Sequence, residues 1–271
     1  HGLDTYLRSR GVDPDDALRR AGFAPGDLID PDGRVPLMRY MELLEICAGL
    51  LADPQFGLNF GAQYEPRHGG VVGNIALAAR TLGEAYEMMG RYLPTMVDAT
   101  VHGMEVSDGM AFVYSYYVNP LMMSYRQKAD WSIAFACNIA RAGLGDPRWT
   151  PQEVLLPQLA EETPSQRRTR AEIMGDNIRV GHPWAGIRFD AALLKRKMAT
   201  ADAMIERMMR HYGDLRLAAL PEQHGEIEQL RREIARVLVK GEGGMEHLAK
   251  ATGTSLRTLQ RRLKDAGVNY S

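Results

Sequence analysis

The chain has 271 residues, 45% of them hydrophobic, 25% charged and 7% aromatic, a globular composition with apolar material for one large domain or two modest ones. Charge and apolar content near the average exclude a disordered chain, and the formal net charge of −1 by itself argues against a nucleic-acid binder. Cys47 and Cys137 stand alone in apolar stretches, which excludes a disulfide framework or a cysteine zinc site; no apolar run reaches the roughly 18 residues of a membrane span.

The opening reads as short helices, Asp4–Ser9 and Asp15–Arg20, broken by Gly and Pro. Val35–Ala52 carries Leu37, Met41, Leu44, Ala48 and Leu51 at spacings of three and four, one apolar stripe of an amphipathic helix. Gly69–Ala79 and Thr81–Tyr92 are two more helices, the second opened by Thr81 with Glu84 three residues on, as in a capping box.

The period then changes to two. Thr95–Val106 and Met110–Val118 flank Ser107-Asp108-Gly109, an antiparallel hairpin signal. In the second strand Phe112, Tyr114 and Tyr116 share one face, and Val113, Ser115 and Tyr117 the other. The long helix Leu121–Gly143 places Trp131, Phe135 and Ile139 on one stripe. Glu153–Pro157 reads as a buried strand, Ser165–Met174 as a polar helix, and Ile178–Val180 with Gly186–Phe189 as a second hairpin. The fold class expected is therefore an α+β domain, an antiparallel sheet with packed helices, followed by an all-α region from Asp202 onward.

Charge is unevenly spread. From Arg231 to Ser271 nine Lys or Arg face four Asp or Glu, leaving 24 basic and 30 acidic residues in the first 230. An acidic body with a basic tail conceals an electrostatic footprint in a neutral average.

Within that tail, Gly244–Gly267 reads GMEHLAKATGTSLRTLQRRLKDAG. Met245–Ala251 is a short helix with Leu248 and Ala249 turned inward. Gly253 supplies the positive φ of a sharp turn. Ser255 caps a second helix, Leu256–Ala266, whose Leu256, Leu259 and Leu263 form the buried side. Small Ala249, glycine four residues on and an apolar residue six further is helix-turn-helix spacing. The outward face carries Arg257, Thr258, Gln260, Arg261 and Lys264, types suited to base edges and phosphates in a major groove.

The segment HLAKATGTSLRTLQRRLKDAG, above all Leu259–Leu263, resembles the first helix-turn-helix of the AraC/XylS family. Upstream, Asp53–Leu58, Gly69–Gly73 and Thr81–Ala85 resemble the arabinose-binding-like effector domain of one subgroup, so the likeness spans essentially the whole chain. It implies a ligand-responsive transcription regulator, more often an activator than a repressor, working as a homodimer with promoter DNA, RNA polymerase and a small-molecule effector. Residues 1–215 would be the effector-binding and dimerisation domain, and 216–271 a helical DNA-binding region, entered by the break at Leu220-Pro221 and the helix Ile227–Val239. The family's second helix-turn-helix is absent here, and His1 is not an initiator methionine, so a truncated chain is expected.

Ser255, Arg257, Thr258, Gln260, Arg261 and Lys264 are thus the candidate DNA contacts. For the effector the candidates are Phe112, Tyr114 and Tyr116 on the hairpin and Arg126, Trp131 and Phe135 on the long helix; plain core packing is the competing reading of these aromatics. No HExxH, G-x-S-x-G, G-x-G-x-x-G or Walker loop occurs, so no enzyme, cofactor or metal site is expected. A small-molecule-binding enzyme or carrier with a basic helical adaptor tail is the alternative. The location expected is the cytoplasm, without membrane attachment.

Overall fold

The computed structural model describes residues 2–24, 26–27, 33–97, 100–117, 120–220, 237 and 245–265. Contacts divide the chain into two compact units, 1–218 and 219–271.

The first unit opens with α1 (Leu3–Ser9) and α2 (Pro14–Arg20), the latter started by Pro14 after the Asp13 cap. Then follow α3 (Leu37–Leu50), α4 (Phe56–Gln63), α5 (Gly70–Ala78) and α6 (Leu82–Tyr92). Thr81 caps α6 by accepting from the Glu84 N–H at 3.3 Å. The first strand starts later than its sequence pattern suggests. Thr95 instead ends a single 3₁₀ turn, buried, its hydroxyl donating to the Tyr92 carbonyl at 2.7 Å.

β1 (Thr100–Ser107) and β2 (Met110–Tyr117) form the expected hairpin around Asp108 and Gly109, both at positive φ. The long helix α7 (Arg126–Leu144) ends at Gly145, φ 66°. β3 (Glu153–Leu155), α8 (Pro164–Met174), β4 (Ile178–Arg179), β5 (Trp184–Asp190) and α9 (Ala203–Ala218) complete the unit. Strand order is β1-β2-β5-β3-β4.

That order corrects two expectations. The sheet is mixed, because β4 runs parallel to β3 after the α8 crossover. Nor do β4 and β5 form a hairpin: β5 already pairs antiparallel with β2 on one edge and with β3 on the other, so no edge is left for β4.

Register fixes which side chains share a face. Ala111, Val113, Ala185, Ile187 and Phe189 belong to the main core, with Ala134, Cys137 and Ala140 of α7. On the opposite face Tyr114 lies across Gly103 and Phe112 across Gly186; a Cβ at either glycine would strike the ring. Arg188 sits 5.1 Å over the Phe112 ring and pairs at 3.0 Å with buried Glu153.

α4 and α7 meet closely enough that a Cβ on Gly57 would overlap the Gln127 backbone. Gln127 turns this approach into a fixed joint, its side-chain oxygen accepting from the Gly57 N–H at 2.7 Å. α9 packs on α6 through Gly213, whose α-carbon faces the Tyr92 ring, while Tyr92 and Arg91 both donate to Asp214 at 2.9 Å.

In the second unit, α10 (Met245–Ala251) and α11 (Leu256–Asp265) enclose a small core of Val237, Leu248, Ala249 and Leu259. Leu256 departs from expectation: it is 38% exposed, since the turn places the first residue of α11 beyond reach of α10. The helix expected at Ile227–Val239 and the boundary residue Pro221 lie outside the described residues, Val237 excepted.

Candidate functional site

A cavity of about 360 Å³ opens inside the first unit, between α7, the β1–β2 face that carries Val113, and helices α1, α2, α3, α5 and α6. One side is a single stripe of α7: Lys128, Trp131, Ser132 and Phe135, the i, i+3, i+4, i+7 set of one helix face. Trp131 and Phe135 stack at 5.2 Å with planes 6° apart, and Tyr64 meets both edge-on at 5.3 and 5.9 Å. His102, Val113 and Ser115 contribute the sheet side, Tyr40 and Leu43 the α3 side, Leu3 and Leu7 the α1 side. Exposed Asp4 and Arg8 stand at its rim.

This wall is mostly apolar, with few polar groups, the usual makeup of a small-molecule site. Lys128 Nζ donates to Ser132 Oγ at 2.6 Å and lies 4.5 Å from the Trp131 ring centre. Burial lowers the Lys128 ammonium to about 7. The His102 imidazole is lowered to about 4, by burial first and by the Lys128 charge second, so it is neutral near pH 7. Its Nδ1 is 3.3 Å from Ser115 Oγ, while its Nε2 and the Trp131 indole N–H are buried without a partner among the described residues.

The effector candidates divide on this geometry. Trp131 and Phe135 line the cavity, and Tyr114 borders it with its register partner Gly186, although the Tyr114 ring lies on the other face of the sheet. Phe112 and Tyr116, on that same face, are not among the lining residues. The alternation of β2 is the reason: residues at even numbers point away from α7, and those at odd numbers toward it. Arg126 also lies elsewhere, bonded to the Pro54 carbonyl and 3.8 Å from the Asp130 carboxylate.

Lys128, Ser132, His102 and Ser115 were not anticipated. Their signal was present: a lysine and a serine inside the aromatic stripe of a helix otherwise buried on several sides.

Asp130 is a second buried titratable group on α7. Burial raises its carboxyl to about 7, opposed by Arg126 and reinforced by Glu162 and Glu45, with Arg170 a smaller lowering influence. The folded state therefore holds a proton that the unfolded chain, titrating near 3.8, has released. Its contribution to stability is complete below about pH 4 and lost as pH rises through 7. Asp130→Asn is expected to raise the thermal midpoint relative to the parent at pH 8 and to leave it nearly unchanged at pH 4. A difference that does not depend on pH, followed by calorimetry, would rule the buried carboxyl out as the cause.

The DNA candidates lie in the second unit. Thr254 N–H donates to the Ala249 carbonyl at 2.9 Å across the turn, where Gly253 has φ 62°. Ser255 caps α11: its Oγ accepts from the Thr258 N–H at 3.2 Å and lies 2.9 Å from the Thr258 hydroxyl. Thr258 is thereby engaged in the cap and half-buried, whereas Ser255, Arg257, Gln260 and Arg261 are exposed. Lys264 lies within α11, its side chain outside the described set. Among the described residues no helix is long and apolar enough to cross a membrane, and no cluster of His, Cys, Asp or Glu is arranged to hold a metal.

Residues 11–198 match the model of the arabinose-binding domain of AraC transcription regulators. The chain is 26% identical over 263 residues to the ornithine utilization regulator of Pseudomonas aeruginosa, covering 96% of this chain and 75% of that protein. It is 29% identical over 273 residues to the HTH-type transcriptional regulator VirS of Mycobacterium tuberculosis, covering 98% and 77% respectively. Among solved structures, the transcriptional regulator CdpR from Pseudomonas aeruginosa superposes with a TM-score of 0.54 at 19% identity, over 99% of this chain and 79% of that one; this likeness is one of fold.

Proposed function

Because the chain belongs to the AraC family of transcription regulators, through its arabinose-binding-like N-terminal domain, we propose that the first unit senses its effector in the α7 cavity and that α11 reads promoter DNA. The observation that carries this reading is the coexistence of an internal cavity with an exposed, basic second helix in a helix-turn pair. Effector binding would shift the population between arrangements that engage DNA differently, by no more than its differential affinity for them. The family and its relatives are regulators rather than enzymes. An activating role, a contact with RNA polymerase and a cytoplasmic location follow from the family likeness alone and are proposed on that basis.

On α11, Arg257, Gln260 and Arg261 are the base readers in this proposal. Lys264 positions the backbone, and Ser255 presents the first N–H groups of the helix to a phosphate, where the dipole favours an anion. Fluorescence anisotropy on a target promoter and a scrambled duplex across a salt series tests this reading. The expected result is tighter binding to the target and a log affinity that falls with log salt on both. Equal affinity for the two duplexes would contradict it.

Homodimerisation is also proposed, through α9. On α6, Met89 and Tyr92 are 6% and 1% exposed, consumed by the core. Among the described residues Met204, Met208 and Leu215 are each more than half exposed on one face of α9 and thus available to a second copy. Met208→Asp should convert a dimer to a monomer in light scattering; a dimer that persists removes this face from the interface.

A further inference from the structure

Lys128 is a charge that the packing of the first unit leaves unexplained. Its ammonium lies at the wall of a mainly apolar cavity, yet among the described residues no carboxylate is within ion-pair distance of it. One of its three donors is spent on Ser132 Oγ, and the Ser132 hydroxyl proton in turn goes to the Lys128 carbonyl at 2.8 Å. Two ammonium donors therefore remain whenever Nζ is protonated. Even partial burial of such a group is costly unless something neutralises it, and its pKa, lowered to about 7, records that cost. A lysine kept only for its stem could instead be replaced by an apolar residue and leave this wall better packed.

The arrangement is asymmetric in a useful way. At one end stand an ammonium and a hydroxyl; beside them are the stacked Trp131 and Phe135 and the edge of Tyr64. The other lysine or arginine among the lining residues is Arg8, which is exposed on α1. The nearby carboxylates Asp4, Asp15 and Asp27 also lie on the α1–α2 side rather than beside Nζ. Lys128 thus carries the one ammonium of this wall, and the unpartnered polar atoms near it, His102 Nε2 and the Trp131 indole N–H, are uncharged near pH 7. A dianion would need a second cation; a single charge with an apolar body needs only this one.

The geometry points to a monocarboxylate with an aliphatic or aromatic body as the ligand of this cavity, its carboxylate accepting from the two remaining donors of Lys128 Nζ and its body against Trp131 and Phe135. This rests on the reading of the cavity as the effector site and names the class of effector that the site takes. Lys128 is then a specificity residue: it discriminates an acid from the alcohol of the same length, because only the anion restores the ammonium its counter-charge. Its uncompensated state without ligand is the cost of that selectivity, in keeping with the stability commonly given up at binding sites.

The test uses octanoate and 1-octanol, equal in chain length and different in charge, titrated against the 271-residue chain by tryptophan fluorescence and thermal midpoint. The parent should bind octanoate at least tenfold more tightly than octanol. In Lys128→Met the two affinities should converge to within about twofold, through loss of octanoate affinity rather than gain for octanol, and the ligand-free midpoint at pH 6 should rise. Lys128→Gln, polar but uncharged, provides a second variant with the same expected convergence. Octanoate binding that is undiminished in both variants overturns the proposal, as does octanol binding the parent as tightly as octanoate. The latter result would leave the cavity as the effector site and remove only the carboxylate. Failure of both probes to bind, by either readout, would remove the cavity reading as well.

Discussion

Replacing Arg261 by Ala is expected to lower affinity for a target promoter by about 5- to 150-fold, the roughly 1–3 kcal/mol of one lost bidentate base contact. Affinity for a scrambled duplex should change far less. Arg261 lies one turn beyond Arg257 on α11, beside Gln260, and all three are exposed, so that one segment of major groove can receive them together. The helix is held for this task by two devices. Leu259 anchors it, fully buried against Leu248 and Ala249, and Ser255 fixes its first turn. Neither device involves Arg261, so its truncation tests recognition without unfolding the unit. Equal losses on both duplexes would mean that the helix docks on the backbone rather than reading bases.

A second large effect is expected from Trp131→Ala. The indole forms the middle of the cavity wall, stacked on Phe135 and approached by Tyr40, Tyr64 and the Lys128 ammonium. Its removal takes away the largest apolar surface offered to a ligand and the ring that the lysine leans on. Effector binding should weaken by at least 100-fold. The cost to folding should fall below the roughly 3–5 kcal/mol of a fully enclosed aromatic, because one side of the indole already borders empty space. The melting of the second unit and its affinity for DNA should be unchanged. A variant that no longer folds, by circular dichroism, would show Trp131 to be core rather than binding surface.

The sequence and the structure agree where periodicity is strong and part where pairing is long-range. The α3 stripe, the Thr81 cap, the Asp108-Gly109 hairpin and the Gly253 turn are local, and each is encoded in a few adjacent residues. The sheet order is not local. Nothing within Ile178–Phe189 announces that its second half pairs with β2 and β3, leaving the first half to run parallel to β3. The effector set shows the same division. The alternation of β2 separated its two faces correctly, but which face met α7 depended on burial of Ala111 and Val113 against distant residues. Aromatic bulk favoured the Phe112 face; in the fold these rings instead cover glycines on adjoining strands. Lys128 was passed over because a single lysine in a helix ordinarily reaches solvent, and only the three-dimensional enclosure shows that this one borders a cavity.

Uniting these observations is the claim that a ligand in the α7 cavity governs DNA binding by a separate helix. The most direct measurement is promoter affinity with and without a saturating cavity ligand, identified by thermal shift, in the parent, Trp131→Ala and Arg261→Ala. The account predicts a double dissociation. The parent changes affinity on adding ligand, Trp131→Ala binds DNA as the parent does but ignores the ligand, and Arg261→Ala binds the ligand normally while losing the promoter. A parent whose promoter affinity is the same with the cavity filled and empty would contradict it.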